Sequence, residues 1–250
     1  MTNNLDLTGI HSDAADRIRP FFEQLLEEYA SRIHSLNVVG SAVSGDYDPA
    51  RSDVNSVVIL NEMDLEFLEG LAPLGKRYHR KRVKAPLIMT PAYITTSLDV
   101  FPIEFREMAQ IHKTVHGDDI LLELDIHASD LRHQCERDLK AKLIGLRQGY
   151  LSMMGEPKLL SEEFSRAISG YAPLFRAILT LVGPAPPPMR LEEVLARLET
   201  ATGIPTAVYQ RVYQMKKSGE RPGIEKLKTL FEDYYQTTER LSRIIDEHAV

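Results

Sequence analysis

The first apolar stripe of the chain falls on Ile18, Phe21, Phe22, Leu25, Leu26, Tyr29 and Ile33. That is the i, i+3, i+4, i+7 spacing of a helix with one face against a core. It predicts a helix over residues 12–35, with Ser12-Asp13 able to cap its start and Pro20 either in its first turn or at a break between two short helices. The period then changes to short apolar runs, which predict strands at 36–41 and 53–60. Helical spacing returns over 63–78, with Leu65, Phe67, Leu68 and Leu71 inward and Pro73 and Gly75 interrupting. Pro86-Leu87-Ile88-Met89 reads as a third strand, 91–97 as a turn or a single helical segment, and 98–105 as a fourth strand. Helix, strand, strand, helix, strand, strand predicts a small mixed sheet with helices on one side.

From Ala128 onward the strand signals stop. A long helix begins there, with Ser129-Asp130 as its cap and Leu131, Cys135, Leu139, Leu143 and Leu146 inward, and a second is expected over 161–182. Gly183-Pro184-Ala185-Pro186-Pro187-Pro188 cannot be helical and reads as a stiff polyproline hinge. Three more helices are expected at 190–201, 205–218 and 223–248, the last with Leu227, Leu230, Phe231, Tyr234, Leu241 and Ile245 on one stripe. The expected fold class is α+β: a small mixed sheet with helices over 1–127, then an all-α helical bundle over 128–250. No internal repeat is evident, nor any low-complexity segment beyond the hinge.

Composition narrows the function classes. With 43% hydrophobic and 26% charged residues the chain can bury a real core, and 250 residues suit one large domain or two ordinary ones. There is no run of 18 apolar residues and no basic-then-apolar start, so neither a membrane span nor a secretory signal is expected. The single cysteine, Cys135, sits in a helical context as a small packing residue and fits a reducing cytoplasm. A net charge of −6 argues against general nucleic-acid binding, which needs a basic footprint. One local exception is Lys76 to Lys84, a basic run that reads as a solvated helix end or, alternatively, as a holder of a polyanion such as tRNA or a triphosphate tail.

The chemistry concentrates where the first strand runs out. Val38-Val39-Gly40-Ser41 brings a strand to Gly-Ser, where backbone N–H groups and a hydroxyl can approach a phosphate. A polar turn follows, then Ser52-Asp53-Val54-Asn55 heads an apolar run. Asp53 and Asn55 are two apart, so a strand puts them on one face. Together these describe a site for a nucleoside triphosphate and its divalent metals, with Asn55 where such chemistry wants a second carboxylate.

The pattern resembles the nucleotidyltransferase superfamily related to DNA polymerase β. The signature of that family is Gly-Ser or Gly-Gly, a turn with a glycine, then Ser-Asp-x-Asp and an apolar strand. Gly40, Ser41, Gly45, Ser52 and Asp53 match it, and Asn55 departs from it. The likeness covers residues 12–127 and leans toward the bacterial small-substrate branch, which includes the aminoglycoside adenylyltransferases and carries a helical C-terminal domain. It implies transfer of a nucleoside monophosphate, AMP from ATP, to a hydroxyl of a small molecule or protein, with magnesium as cofactor. Gly40, Ser41 and Ser52 would bind the nucleotide; Asp53, Asn55 and a third acidic group would be the catalytic and metal-holding set. Asp99 is placed for that third role at the head of the expected 98–105 strand, and the resemblance favours it over Glu104; a solvated strand-end aspartate is the plain alternative.

Asn55 is the difficulty. A missing unit charge about 4 Å from a cation is worth roughly 4 kcal/mol per cation charge at an effective dielectric of about 20. That is on the order of a thousandfold in metal affinity or rate. Asp46 and Asp48 could compensate, although turn stabilisation suits them better. His112 and His116 have the spacing of a helical metal pair but lack a third ligand, so a helix end capped by Gly117 is expected there. Lys113 could reach a phosphate, and Tyr209, Tyr213, Tyr234 and Tyr235 read as core and rim of the bundle. Three readings follow: an adenylylating enzyme with an unknown acceptor, a non-catalytic nucleotide-binding protein, or an interaction module whose helical half forms a homodimer or pairs with another protein.

Overall fold

The computed structural model describes residues 5–153 and 156–249. It is a mixed α and β structure with a four-stranded sheet, and the chain divides into two compact units. One holds the described residues up to Asp99 together with Glu104–Asp125; the other holds Val100–Ile103 and the described residues from Ile126 onward.

In the first unit, α1 (Ser12–Tyr29) lays Ile18, Phe21, Phe22, Leu25 and Leu26 into the core. It ends earlier than its apolar stripe suggests, because Ile33 belongs to β1 (Ile33–Val39), reached through a tight turn in which the Arg32 amide donates to the Tyr29 carbonyl at 2.9 Å. His11, not Ser12, precedes the first helical residue, and no side chain caps it. Asp13 works instead from the first turn, bound to Arg17 at 2.8 Å and accepting from the Tyr47 hydroxyl at 3.2 Å. Then come a single turn of helix, α2 (Ser41–Ser44), and β2 (Asn55–Leu60). α3 (Leu65–His79) buries Phe67, Leu71, Leu74 and Tyr78. Leu65 and Leu68, expected inward, lie on its exposed side, since the buried row repeats at 67, 71, 74 and 78. Pro73 and Gly75 do not interrupt it.

β3 (Leu87–Met89) and α4 (Pro91–Thr96) follow where expected. The fourth strand does not. Residues 97–100 form a turn, and α5 (Pro102–Gln110) takes up the second half of the segment read as strand. Pro102 has a φ suited to the first helical position and has no N–H to offer a sheet, so alternation of apolar residues there carries no strand. The last strand is β4 (His112–Gly117), where a helix end was expected. Gly117 closes that strand at φ +80°, and a Cβ on it would stand 2.0 Å from the His34 carbonyl oxygen, so only glycine fits. The sheet order is β3-β2-β1-β4, with β1 antiparallel to both neighbours and β2 parallel to β3.

The second unit is helical: α6 (Ala128–Ser152), α7 (Pro157–Ala167), a 3-10 turn (Ile168–Gly170), α8 (Ala172–Val182), α9 (Leu191–Thr202), α10 (Ala207–Ser218) and α11 (Ile224–Glu247). The helix expected over 161–182 is broken at 168–171, where Pro173 opens α8 in its first turn. Ser129 and Asp130 lie inside the first turn of α6, which starts after His127 without a side-chain cap. Leu131, Cys135, Leu139, Leu143 and Leu146 are all buried, as the stripe predicts. Burial pushes the Cys135 thiol far up, so it is an inert packing residue. Tyr171, Phe175, Tyr209 and Tyr234 form a ring-on-ring centre, with centroids 4.8–5.7 Å apart. Ile103 joins this core, and its backbone N–H donates to Gln134 Oε1 at 2.7 Å. Among the described residues no helix is long and apolar enough to cross a membrane.

Candidate nucleotide site

The antiparallel register Val38↔Ser56 and Val39↔Asn55 settles which side chains meet at the end of the sheet. Directly paired residues share a face, so Asn55 lies beside Val39 and next to Gly40. Gly40 takes φ 75° and ψ −145°, a conformation open to glycine, and a Cβ on it would stand 3.8 Å from Asn55 Nδ2. The turn after β1 is already well bonded. The Gly40 amide donates to the Ile111 carbonyl at 3.3 Å, and the Gly40 carbonyl accepts from the amides of Val43 and Ser44 at 2.9 and 3.1 Å.

The loop before β2 is organised by Asp48 and Ser52. Ser52 Oγ accepts from the Asp48 amide at 3.0 Å, the Ser52 amide donates to the Asp48 carbonyl at 2.7 Å, and Asp48 Oδ1 accepts from the Ala50 amide at 2.9 Å. Asp48 therefore builds the turn, as expected of an aspartate there. Ser52, matched to the nucleotide-binding signature, also serves the turn.

Asp53 has an unexpected partner. Lys84 Nζ stands 3.4 Å from Asp53 Oδ2, with side-chain exposures of 56% and 36%. The cause lies in how α3 ends. The Val83 amide donates to the Tyr78 carbonyl at 3.2 Å and the Arg82 amide to the His79 carbonyl at 3.0 Å, the bond pair of a Schellman motif. The residue between must be left-handed, and Arg82 sits there at φ 59°, the sole described non-glycine residue at positive φ. The chain then runs alongside β2. The Val54 amide donates to the Arg82 carbonyl at 2.8 Å, the Lys84 amide donates to the Val54 carbonyl at 3.0 Å, and Val54 bridges Val83 in parallel. Most of the basic run is the solvated helix end expected: Lys76, Arg77 and His79 occupy the last turn of α3, and Arg77 and Lys81 lie 5.5 and 5.6 Å from the Tyr78 ring. Lys84 is the exception.

The residues present do not fit a pair of magnesium ions. Asp53 is one carboxylate with an ammonium beside it, Asn55 is neutral, and among the described residues no group of three or more His, Cys, Asp or Glu side chains could hold a metal. Asp99 lies in the 97–100 turn between α4 and α5, not at the head of a strand, and Glu104 lies in the first turn of α5. The strand head on which the third role of Asp99 rested does not exist in this segment.

Two features escape sequence reading. Asn37, fully buried, accepts from Thr114 Oγ1 at 2.6 Å and donates to Ser35 Oγ at 3.2 Å, so the sheet face that carries Asn55 is polar inside. His112, paired with Val39 across β1 and β4, has a side chain only 5% exposed and bonds through Nε2 to Asp119 Oδ1 at 2.8 Å. It belongs to a strand and to an aspartate, not to a pair with His116. Nothing in its spacing signals this, because Asp119 arrives through the turn at Gly117.

In structure the chain is similar to a spectinomycin adenyltransferase, AAD(9) from Enterococcus faecialis, solved with ATP and spectinomycin. The TM-score is 0.57 at 15% sequence identity, over 90% of this chain and 98% of that one. This likeness shows the fold: a nucleotidyltransferase-type mixed sheet with helices, followed by a helical domain. No family model matches the chain, and no curated protein matches its sequence.

Proposed function

We propose that this is a nucleotidyltransferase-like protein that binds a nucleoside triphosphate, ATP foremost, at the sheet end formed by Gly40, Ser41, Ser52, Asp53 and Asn55, with its transfer chemistry weakened or lost. The observation that carries this reading is the state of the acid just before β2: Asp53 has Lys84 3.4 Å away, and the strand two residues on opens with the neutral Asn55. Two hard cations need several anionic oxygens in near-octahedral order, which this pair does not supply. The buried Cys135 thiol is consistent with a cytoplasmic setting.

A second reading, transfer of AMP to a hydroxyl acceptor with magnesium, is favoured by the likeness in fold to an adenyltransferase solved with ATP and spectinomycin. It assigns Asp53, Asn55 and Asp99 as metal ligands, so Asp99→Asn would abolish magnesium-dependent ATP binding while leaving the thermal midpoint nearly unchanged. One experiment separates the two: titrate ATP calorimetrically, then measure pyrophosphate release with spectinomycin as the first acceptor offered. Bound ATP without pyrophosphate is the expected result. Pyrophosphate above background establishes transfer, and no ATP binding under any condition overturns both readings.

A further inference from the structure

We infer that Lys84 takes the place of a metal at this site: its ammonium, held by Asp53 until ligand arrives, is the cation that receives the triphosphate tail, and binding needs no magnesium. The inference rests on the nucleotide-site reading above and deepens it.

Three observations meet here. The Asp53 carboxylate, two residues before β2, has a positive partner from the chain itself, at 3.4 Å. The position of that partner is built in, because the Lys84 amide is bonded to the Val54 carbonyl and Val54 is bridged to Val83, so its backbone is tied to the residue that follows Asp53. Arg82 holds a left-handed backbone to bring it there, where an unstrained chain would have a glycine. Asn55 completes the logic: with no charge it offers a divalent ion only a neutral oxygen and adds nothing that would repel a phosphate.

The exchange is physically easy. An ion pair this exposed is weak, so Asp53 parks the ammonium rather than locking it. A metal-free triphosphate carries several negative charges and offers a compact ammonium a better partner than one carboxylate. Asp53 is then a competitor of the ligand and not its metal holder, which reverses the sign of what removing it does.

The test is calorimetric titration of the full-length protein with ATP, in EDTA and in excess magnesium. Wild type should bind in EDTA, and no tighter in magnesium. Lys84→Gln should weaken binding in EDTA by about tenfold or more, the loss of a charge-assisted contact, and Lys84→Arg should restore most of it. Asp53→Asn should bind a few-fold tighter, the value of releasing an exposed ion pair. Both side chains are partly exposed, and thermal unfolding of the same samples checks that each variant is folded. Binding that requires magnesium and disappears in Asp53→Asn overturns the inference while leaving the nucleotide-site reading intact. Binding in EDTA that ignores Lys84→Gln overturns it too. No ATP binding in either condition removes the nucleotide site itself.

Discussion

Arg82 is where the structure makes its clearest energetic statement. A left-handed backbone costs an L-residue roughly 1–2 kcal/mol, because Cβ crowds the following carbonyl. Arg82 carries that cost at φ 59° in the Schellman turn, a position where glycine is the usual occupant. Arg82→Gly should therefore relieve the strain, less about 0.5–1 kcal/mol for the extra freedom glycine has in the unfolded chain. The net is a stabilisation of up to about 1.5 kcal/mol, or a rise in midpoint of up to roughly 6 °C for a chain of this length. The substitution also removes a charge that acts on Tyr47, whose hydroxyl titration is raised by burial. Arg82→Ala removes the same charge but keeps Cβ, so it isolates the backbone effect. The assay is thermal and urea unfolding of the three proteins side by side, followed at the sheet unit because the chain has two compact units and need not melt in one step. Arg82→Gly should be the most stable and Arg82→Ala no better than wild type. If glycine gives no advantage over alanine, Arg82 is not strained and the turn does not drive Lys84 to Asp53.

Two further predictions are independent of the site. In the helical core Thr238 Oγ1 bonds both the Tyr209 hydroxyl at 2.9 Å and the Tyr234 carbonyl at 2.8 Å, all fully buried, so Thr238→Val should cost about 1–3 kcal/mol by urea unfolding and Tyr209→Phe on that background should recover part of it. At the edge of the sheet, Lys113 donates to Asp6 and holds its carboxyl down from 3.8 to about 2. A lowered folded value means that the stabilisation is fully present above about pH 4 and is lost as pH falls toward 2, so Asp6→Asn should flatten that part of the midpoint-against-pH curve and leave the rest unchanged.

Much of the fold is legible because burial there follows a period. The α6 stripe from Leu131 to Leu146 is buried throughout, and β1 and β2 pair where Val38-Val39 and the Val57–Leu60 run predict. The readings fail where burial and polarity part company. β4 contributes His112 and Thr114 to a polar interior face, so its pattern does not alternate as a half-buried strand should, and the same residues read as a helix end. The segment 98–105 fails for the opposite reason: Val100 and Phe101 are apolar but substantially exposed, and the backbone follows Pro102 into a helix.

The site divides along the same line. The Gly40-Ser41 turn and Asn55 at the head of the second apolar run are both legible in the sequence, and the register that pairs Val39 with Asn55 brings them together. Lys84 against Asp53 could not be read there, because the thirty residues between them pass through β2, α3 and a turn whose direction depends on one backbone angle at Arg82. Arginine gives no sign of a left-handed turn in the way glycine does, so the signature reads as a metal site short of one carboxylate. In three dimensions it is short of a carboxylate and supplied with an ammonium. A site merely weakened by Asn55 would gain from any added negative charge. A site that carries its own cation gains from losing one, and the opposite responses expected of Asp53→Asn in the two cases follow from that difference alone.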